Sequence, residues 1–116
     1  MSRPLIEASD VGDVTIVRFI DRSILDMMVI DEIGAKLYEL VNDFNRIQIL
    51  ISFKGVDFVS SWMIGKLTAL NGTLKGRKGK LILCDVKKSL LEIFELTGLN
   101  RIIPIAPDEE TGLKAF

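Results

Sequence analysis

The sequence contains no histidine and one cysteine, Cys84, among its 116 residues. Histidine is the commonest general base and the commonest transition-metal ligand in proteins, so its absence argues against an enzyme and against a zinc site. A single cysteine cannot form an internal disulfide, which is typical of proteins in a reducing compartment. We therefore expect no catalysis, no metal site, no cofactor and a cytoplasmic location.

Long hydrophobic runs and an excess of one charge are also missing. No apolar run approaches the ~20 residues of a membrane helix, and the first ten residues lack the apolar segment of a secretion signal. Fifteen basic and sixteen acidic residues leave a net charge of −1, which gives no bias toward nucleic acid. We expect neither a membrane nor a nucleic acid as partner. The hydrophobic content is nevertheless 48%, which favours an apolar surface for a partner or a second copy of the chain.

Hydrophobic spacing predicts strands that alternate with helices along the chain. The expected strands are 4–10, 14–20, 46–53, 81–86 and 101–106, and the expected helices are 29–44, 61–75, 87–99 and a last turn or two after Pro107. The order β-β-α-β-α-β-α-β-α predicts one α/β domain over residues 1–116. Its sheet is mixed, with four to five strands, and about four helices pack mainly on one side of it.

The segment "DFVSSWMIGKL", residues 57–67, places two serines between a buried strand and a helix. Ser60 or Ser61 can act as an N-cap, because a serine oxygen accepts a hydrogen bond from a free N–H of the first helical turn. Either serine can also accept a phosphate, because a helix N-terminus is a favourable position for an anion. The two roles are compatible.

Other residues near this segment each allow two interpretations. Trp62 can pack on the core or stand at the surface as a binding anchor, and Gly65 would let another backbone approach. The basic turn "KGRKGK", residues 75–80, is a solvated turn or a polyanion site, and it lacks the spacing of a P-loop. Cys84 ends a buried strand and is predicted to be a core residue, since no histidine is present to activate it as a nucleophile.

Three stretches of the chain resemble the STAS domain of bacterial anti-sigma factor antagonists. "FVSSWMIG", residues 58–65, is similar to the family's central signature of two apolar residues, Asp, Ser, Ser, Gly, an apolar residue and Gly. "SILDMMVIDEIGAKL", residues 23–37, is similar to its Leu-Asp loop and first helix. "KGKLILCDVKKSLLEIFELTGL", residues 78–99, is similar to its later strand and helix, which end in Thr-Gly-Leu.

The resemblance implies regulation by partner switching. The unmodified protein would bind an anti-sigma factor that is also a serine kinase, and this would free a sigma factor. The kinase would phosphorylate Ser61 (alternatively Ser60), and a phosphatase would reset the switch. Asp26 falls where the family keeps an aspartate near the phosphoacceptor. The sequence departs from the signature where Ser60 replaces Asp, Trp62 replaces the second Ser and Met63 replaces the first Gly.

The sequence thus predicts a partner-binding surface at the start of the second helix. Its expected residues are Asp26, Phe58, Ser60, Ser61, Trp62, Met63 and Lys66. Two other functions stay open at this point. One is an unswitched scaffold that binds constitutively or forms a homodimer, and the other is a nucleotide-binding domain.

Overall fold

A computed structural model describes residues 3–116. The strands are β1 (Ile6–Val11), β2 (Val14–Phe19), β3 (Ser23–Ile24), β4 (Gln48–Ser52), β5 (Phe58–Val59), β6 (Lys80–Cys84) and β7 (Ile105–Ala106). The helices are α1 (Met27–Asn42), α2 (Ser61–Gly76), α3 (Lys88–Leu96), α4 (Leu99–Ile102) and α5 (Glu109–Leu113).

The main sheet has five strands in the order β1-β2-β4-β6-β7. β1 and β2 form an antiparallel hairpin, and the other neighbours pair in parallel. The hairpin turns at Gly12, whose φ of +61° favours a residue without a side chain. The predicted mixed sheet is confirmed.

The two faces of the sheet are covered unequally. One face carries the larger core, to which α1, α2, α3 and α4 contribute buried apolar residues. The other face has a smaller core of six buried residues, against which Leu113 and Phe116 pack from the C-terminal segment. β4 is buried from both sides, as its continuous apolar sequence predicts. Most helices therefore lie on one side, which confirms the predicted packing.

The first helix begins and ends two residues earlier than the predicted 29–44. It begins at Met27 because the carboxylate of Asp26 caps it, and it ends at Asn42. Phe44, the last residue of the predicted helix, lies beyond the observed one and is 56% exposed. The stripe that is buried consists of Ile30, Ile33, Leu37 and Val41, together with Gly34.

The C-terminal part differs most from the prediction. The third helix, predicted within residues 87–99 and ended by Gly98, does end before that glycine, whose φ is +79°, but the short α4 that follows was not predicted. The predicted strand 101–106 is reduced to Ile105–Ala106, because residues 99–102 are helical and Pro104 cannot donate to a strand ladder. The two-residue strands β3 and β5 were not predicted. They position the site described next.

Candidate partner-binding surface at the start of the second helix

A two-stranded parallel pair, β3 with β5, brings the starts of α1 and α2 together. Ser23 is opposite Phe58 and Ile24 is opposite Val59. The backbone N–H of Ser60 extends the pair by donating to the carbonyl of Ile24 over 3.0 Å. Because the strands run in the same direction and each leads into a helix, both helices begin at the same end of this pair.

Asp26 lies at the start of α1 as an N-cap. Its Oδ1 accepts hydrogen bonds from the backbone N–H groups of Met28 at 2.9 Å and Val29 at 3.1 Å. Two of the free donors of the first turn are satisfied in this way. The carboxylate therefore has a local structural role, and its predicted role toward a partner stays a prediction.

Ser60 and Ser61 take different positions at the start of α2. Ser60 has the extended backbone of an N-cap residue, but its hydroxyl makes no capping hydrogen bond. The N–H of Met63, which such a cap would satisfy, already donates to the Ser60 carbonyl at 3.1 Å. The Ser60 Oγ is buried and has no hydrogen-bond partner in the described structure. Ser61 is the first residue of the helix and is exposed.

Trp62 stands at the surface and is held there by two polar residues. Its indole is 44% exposed, and the indole N–H donates to Asp31 Oδ1 on α1 at 2.8 Å. Lys66 Nζ lies 3.2 Å from the same oxygen and 5.5 Å from the centroid of the indole ring. The indole hydrogen bond, and after it Lys66, lowers the pKa of Asp31. Trp62 therefore lies at the surface and does not pack on the core, and its role as a binding anchor stays a prediction.

Met63 does not belong to the predicted partner surface. Its side chain is 0% exposed, because it lies on the apolar stripe by which α2 packs against the larger core. The sequence carried this signal, since Met63 shares its helical spacing with Leu67, Leu70 and Leu74. Gly65 is also not a point of close packing, because a Cβ placed there meets nothing within 4 Å.

Five large apolar side chains are exposed around these two helix starts. They are Leu25 at 53%, Met27 at 55%, Met28 at 77%, Phe58 at 60% and Trp62 at 44% exposure. We call this set the apolar surface. Leu25 and both methionines were not predicted. The sequence "LDMM" could have indicated their exposure, because its apolar residues do not belong to the buried stripe of α1. Exposed apolar patches of this kind mark interaction sites.

A salt cluster lies at the protein surface next to Phe58 of the apolar surface. The carboxylate of Asp57, which precedes Phe58, lies 2.8 Å from Arg22 Nη2 and 2.8 Å from Lys87 Nζ. The hydrogen bond from Lys87, and next that from Arg22, lowers the pKa of Asp57. The cluster joins the residues that directly precede β3, β5 and α3.

The other sequence candidates lie away from this surface. In the basic turn 75–80, the Arg77 guanidinium donates to the Val41 carbonyl and to Asn45, and Lys80 donates to the Ala115 carbonyl. These contacts hold the turn against the fold. Cys84 is fully buried, and burial raises the pKa of its thiol to about 12. It is a core residue, as predicted.

Residues 3–116 contain neither a cluster of metal ligands nor a membrane-spanning helix. No group of three or more histidine, cysteine, aspartate or glutamate side chains there could hold a metal ion. No helix in that range is both long enough and apolar enough to pass through a membrane.

Comparison with known proteins identifies the family. A family model of the STAS domain matches residues 6–112. The "Putative anti-sigma factor antagonist BtrV" of Bordetella bronchiseptica is 27% identical over 86 residues, which are 74% of this chain and 73% of that protein. An anti-sigma factor antagonist from Mycobacterium paratuberculosis has a similar crystal structure, with a TM-score of 0.84 at 22% identity over 99% of this chain and 97% of that one. The Bacillus cell fate determinant SpoIIAA in its phosphorylated form gives a TM-score of 0.73 at 18% identity over 96% and 99% of the two chains. The chain therefore belongs to the STAS domain family and has the fold of its anti-sigma factor antagonists.

Proposed function

We propose that this chain is an anti-sigma factor antagonist that acts by partner switching in the cytoplasm. In the unmodified state it binds an anti-sigma factor with serine kinase activity through the apolar surface, and a sigma factor is freed. The kinase then transfers the γ-phosphoryl group of its ATP to the Ser61 Oγ, which loses its proton, and ADP is the leaving group. The complex dissociates, and a phosphatase restores the serine. The chain supplies no catalytic group of its own.

The observation that carries this proposal is the position of Ser61. Its side chain is exposed, it begins a helix of 16 residues, and it directly precedes Trp62 of the apolar surface. A kinase can reach such a hydroxyl without unfolding anything. The phosphate gains favourable interactions with the helix N-terminus, so the modified chain keeps its fold.

The effect on the partner follows from charge and desolvation. A phosphate adds roughly −1.5 to −2 charges at pH 7, here beside side chains that bind by excluding water. A charge buried against an apolar contact is costly unless the partner offers a cation. Because the neutral Ser60 stands where the family signature has Asp, the phosphate alone would supply negative charge at positions 60 and 61. Phosphorylation is therefore expected to weaken the complex while the antagonist itself stays folded.

The test is phosphosite mapping by intact mass and peptide sequencing, followed by binding to the anti-sigma kinases of the source genome. We expect phosphate on Ser61 and about 100-fold weaker binding, ~2.7 kcal/mol, for Ser61→Asp. Ser61→Ala should bind like the wild type. Ser89→Asp is the matched control, because Ser89 is an exposed serine in the first turn of α3, so it adds the same charge at another helix start.

Three results would contradict this function in different ways. Phosphate on Ser60 would move the switch to the buried Ser60 hydroxyl. Equal binding by Ser61→Ala and Ser61→Asp, combined with loss of binding in Trp62→Ala, would indicate an unswitched scaffold. A concentration-dependent dimer that dissociates in Trp62→Ala would assign the apolar surface to a second copy of the chain.

A further inference from the structure

The exposed indole of Trp62 forms one wall of a small recess on α2. The recess has a volume of about 210 Å³ and is lined by Trp62, Gly65, Lys66 and Ala69. Its floor is open because Gly65 has no side chain and Ala69 has a single methyl group. The recess is thus shaped mainly by the placement of the indole and of the Lys66 side chain.

The wall is held in place before any partner arrives. Asp31 accepts the indole N–H at 2.8 Å and pairs with Lys66 at 3.2 Å, and the Lys66 ammonium lies 5.5 Å from the ring centroid. One carboxylate on α1 therefore orients both side chains of α2. An aromatic side chain held in its bound position loses less conformational entropy on binding, which increases affinity.

The chemistry of the lining selects an uncharged occupant. Lys66 brings the recess its only ammonium group, and that group is already neutralised by Asp31 and the indole face. The rest of the lining is glycine, alanine and an aromatic ring. The recess also continues the apolar surface through Trp62, which belongs to both.

The recess lies next to Ser61. Gly65 follows Ser61 by four residues along α2, so the two occupy the same side of the helix on successive turns. A side chain that fills the recess would therefore come close to the phosphoacceptor. A phosphate on Ser61 would introduce its charge at the edge of this occupied recess.

We propose that the recess accepts an apolar side chain of the anti-sigma kinase, and that Asp31 is the positioning residue that makes Trp62 a determinant of partner specificity. This inference rests on the proposed function for the identity of the partner. The placement of the indole by Asp31 does not depend on it.

The first experiment needs no partner, because Trp62 is the only tryptophan of the chain. Quenching of its fluorescence by acrylamide is measured for the wild type, Asp31→Ala and Asp31→Asn. We expect stronger quenching in Asp31→Ala and rescue in Asp31→Asn, whose amide oxygen still accepts the indole N–H. Equal quenching in wild type and Asp31→Ala would overturn the positioning role.

The second experiment measures binding to the kinase that phosphorylates Ser61. Ala69→Leu fills the recess, and we expect about tenfold weaker binding from the loss of one packed side chain. Thr73→Leu is the matched control, because it adds the same side chain one turn later, outside the recess. Equal loss in both variants, or no loss in Ala69→Leu, would overturn the recess as a docking point. If the wild type binds no anti-sigma kinase, both the proposed function and the proposed occupant of the recess are wrong. The quenching result would still test the positioning of Trp62 by Asp31.

Discussion

Arg18 and Glu109 form a two-bonded ion pair across 91 positions of sequence. Arg18 Nε lies 2.9 Å from one carboxylate oxygen of Glu109, and Nη2 lies 2.6 Å from the other. The pair ties α5 to the end of β2, on the face of the sheet opposite the large core. It therefore helps to hold the C-terminal segment over a sheet face that would otherwise expose its apolar residues.

We predict that Glu109→Gln destabilises the fold by about 1 kcal/mol at pH 7, a modest value because the two side chains are 39% and 25% exposed. The Arg18 hydrogen bond lowers the pKa of Glu109 below its ordinary value of 4.5. The stabilisation is therefore present above that value and is lost as the pH falls through the lowered pKa. Urea unfolding at neutral and at strongly acidic pH should show the difference from wild type shrinking with acid.

Glu110→Gln is the control for this prediction. Glu110 is 83% exposed and lies 3.6 Å from Lys114 four residues later, an arrangement that contributes little to stability. Equal effects of the two substitutions would mean that the pair with Arg18 adds nothing beyond ordinary surface charge.

A second prediction concerns the cap of α1. Asp26→Ala should cost about 1 kcal/mol of unfolding free energy, because the N–H groups of Met28 and Val29 lose their acceptor. Asp26→Asn should retain most of the stability, since an asparagine oxygen can accept the same bonds. Chemical denaturation of the three proteins measures both effects.

The opposite end of the same helix offers the control. Asp43 lies at the C-cap of α1, where the helix dipole disfavours a carboxylate. Asp43→Ala should therefore be neutral or slightly stabilising. If it destabilises as much as Asp26→Ala, the loss at Asp26 does not come from capping. If Asp26→Asn keeps stability but changes kinase binding, its charge also serves the partner.

The sequence predicted the elements whose burial is periodic or continuous. In α2, the helical spacing of the apolar residues from Met63 to Leu74 predicts which side is buried. In β4, the continuous apolar run predicts burial on both faces. The same logic should have removed Met63 from the predicted surface. Met63 was included in the predicted surface because it lies in the segment that resembles the family signature, although its helical spacing predicts burial.

The parts that escaped prediction depend on contacts between distant segments. β3 and β5 are two residues long, so neither has a periodicity to detect, and they form because Ile24 and Val59 pair across 35 positions of sequence. The bond from Trp62 to Asp31 likewise joins residues from two helices. The prediction that Ser60 caps the helix failed for a local reason. Its backbone takes the capping conformation, but its hydroxyl makes no capping hydrogen bond.

A third prediction contrasts two glycines near the end of α2. A Cβ on Gly79 would lie 2.1 Å from the carbonyl oxygen of Ile47, which already accepts a hydrogen bond from Lys80. Backbone cannot give way as a side chain can, so Gly79→Ala should cost about 2–4 kcal/mol. Thermal and urea unfolding would both register a loss of this size.

Gly72→Ala is the matched control for Gly79→Ala. A Cβ on Gly72 meets nothing within 4 Å, and the residue lies within α2. The substitution should stabilise the fold by about 0.5–1 kcal/mol, because alanine restricts the unfolded chain and favours helix. Similar effects of the two substitutions would show that the approach of Ile47 to Gly79 is not a constraint.

A fourth prediction concerns alkaline pH and the Cys84 thiol. Burial, the largest cause, and the neighbouring Asp85 raise the pKa of this thiol from 9.0 to about 12. A raised pKa means that its stabilising contribution is complete below the unfolded value and is lost as the pH rises from 9.0 toward about 12. Alkaline pH acts on the stability of the whole protein, so the informative quantity is the stability of wild type minus that of Cys84→Ala. That difference should fall by at most ~1.4 kcal/mol per pH unit above pH ~9. A difference that stays constant over this range would mean that the thiol ionises as readily in the folded chain as in the unfolded one.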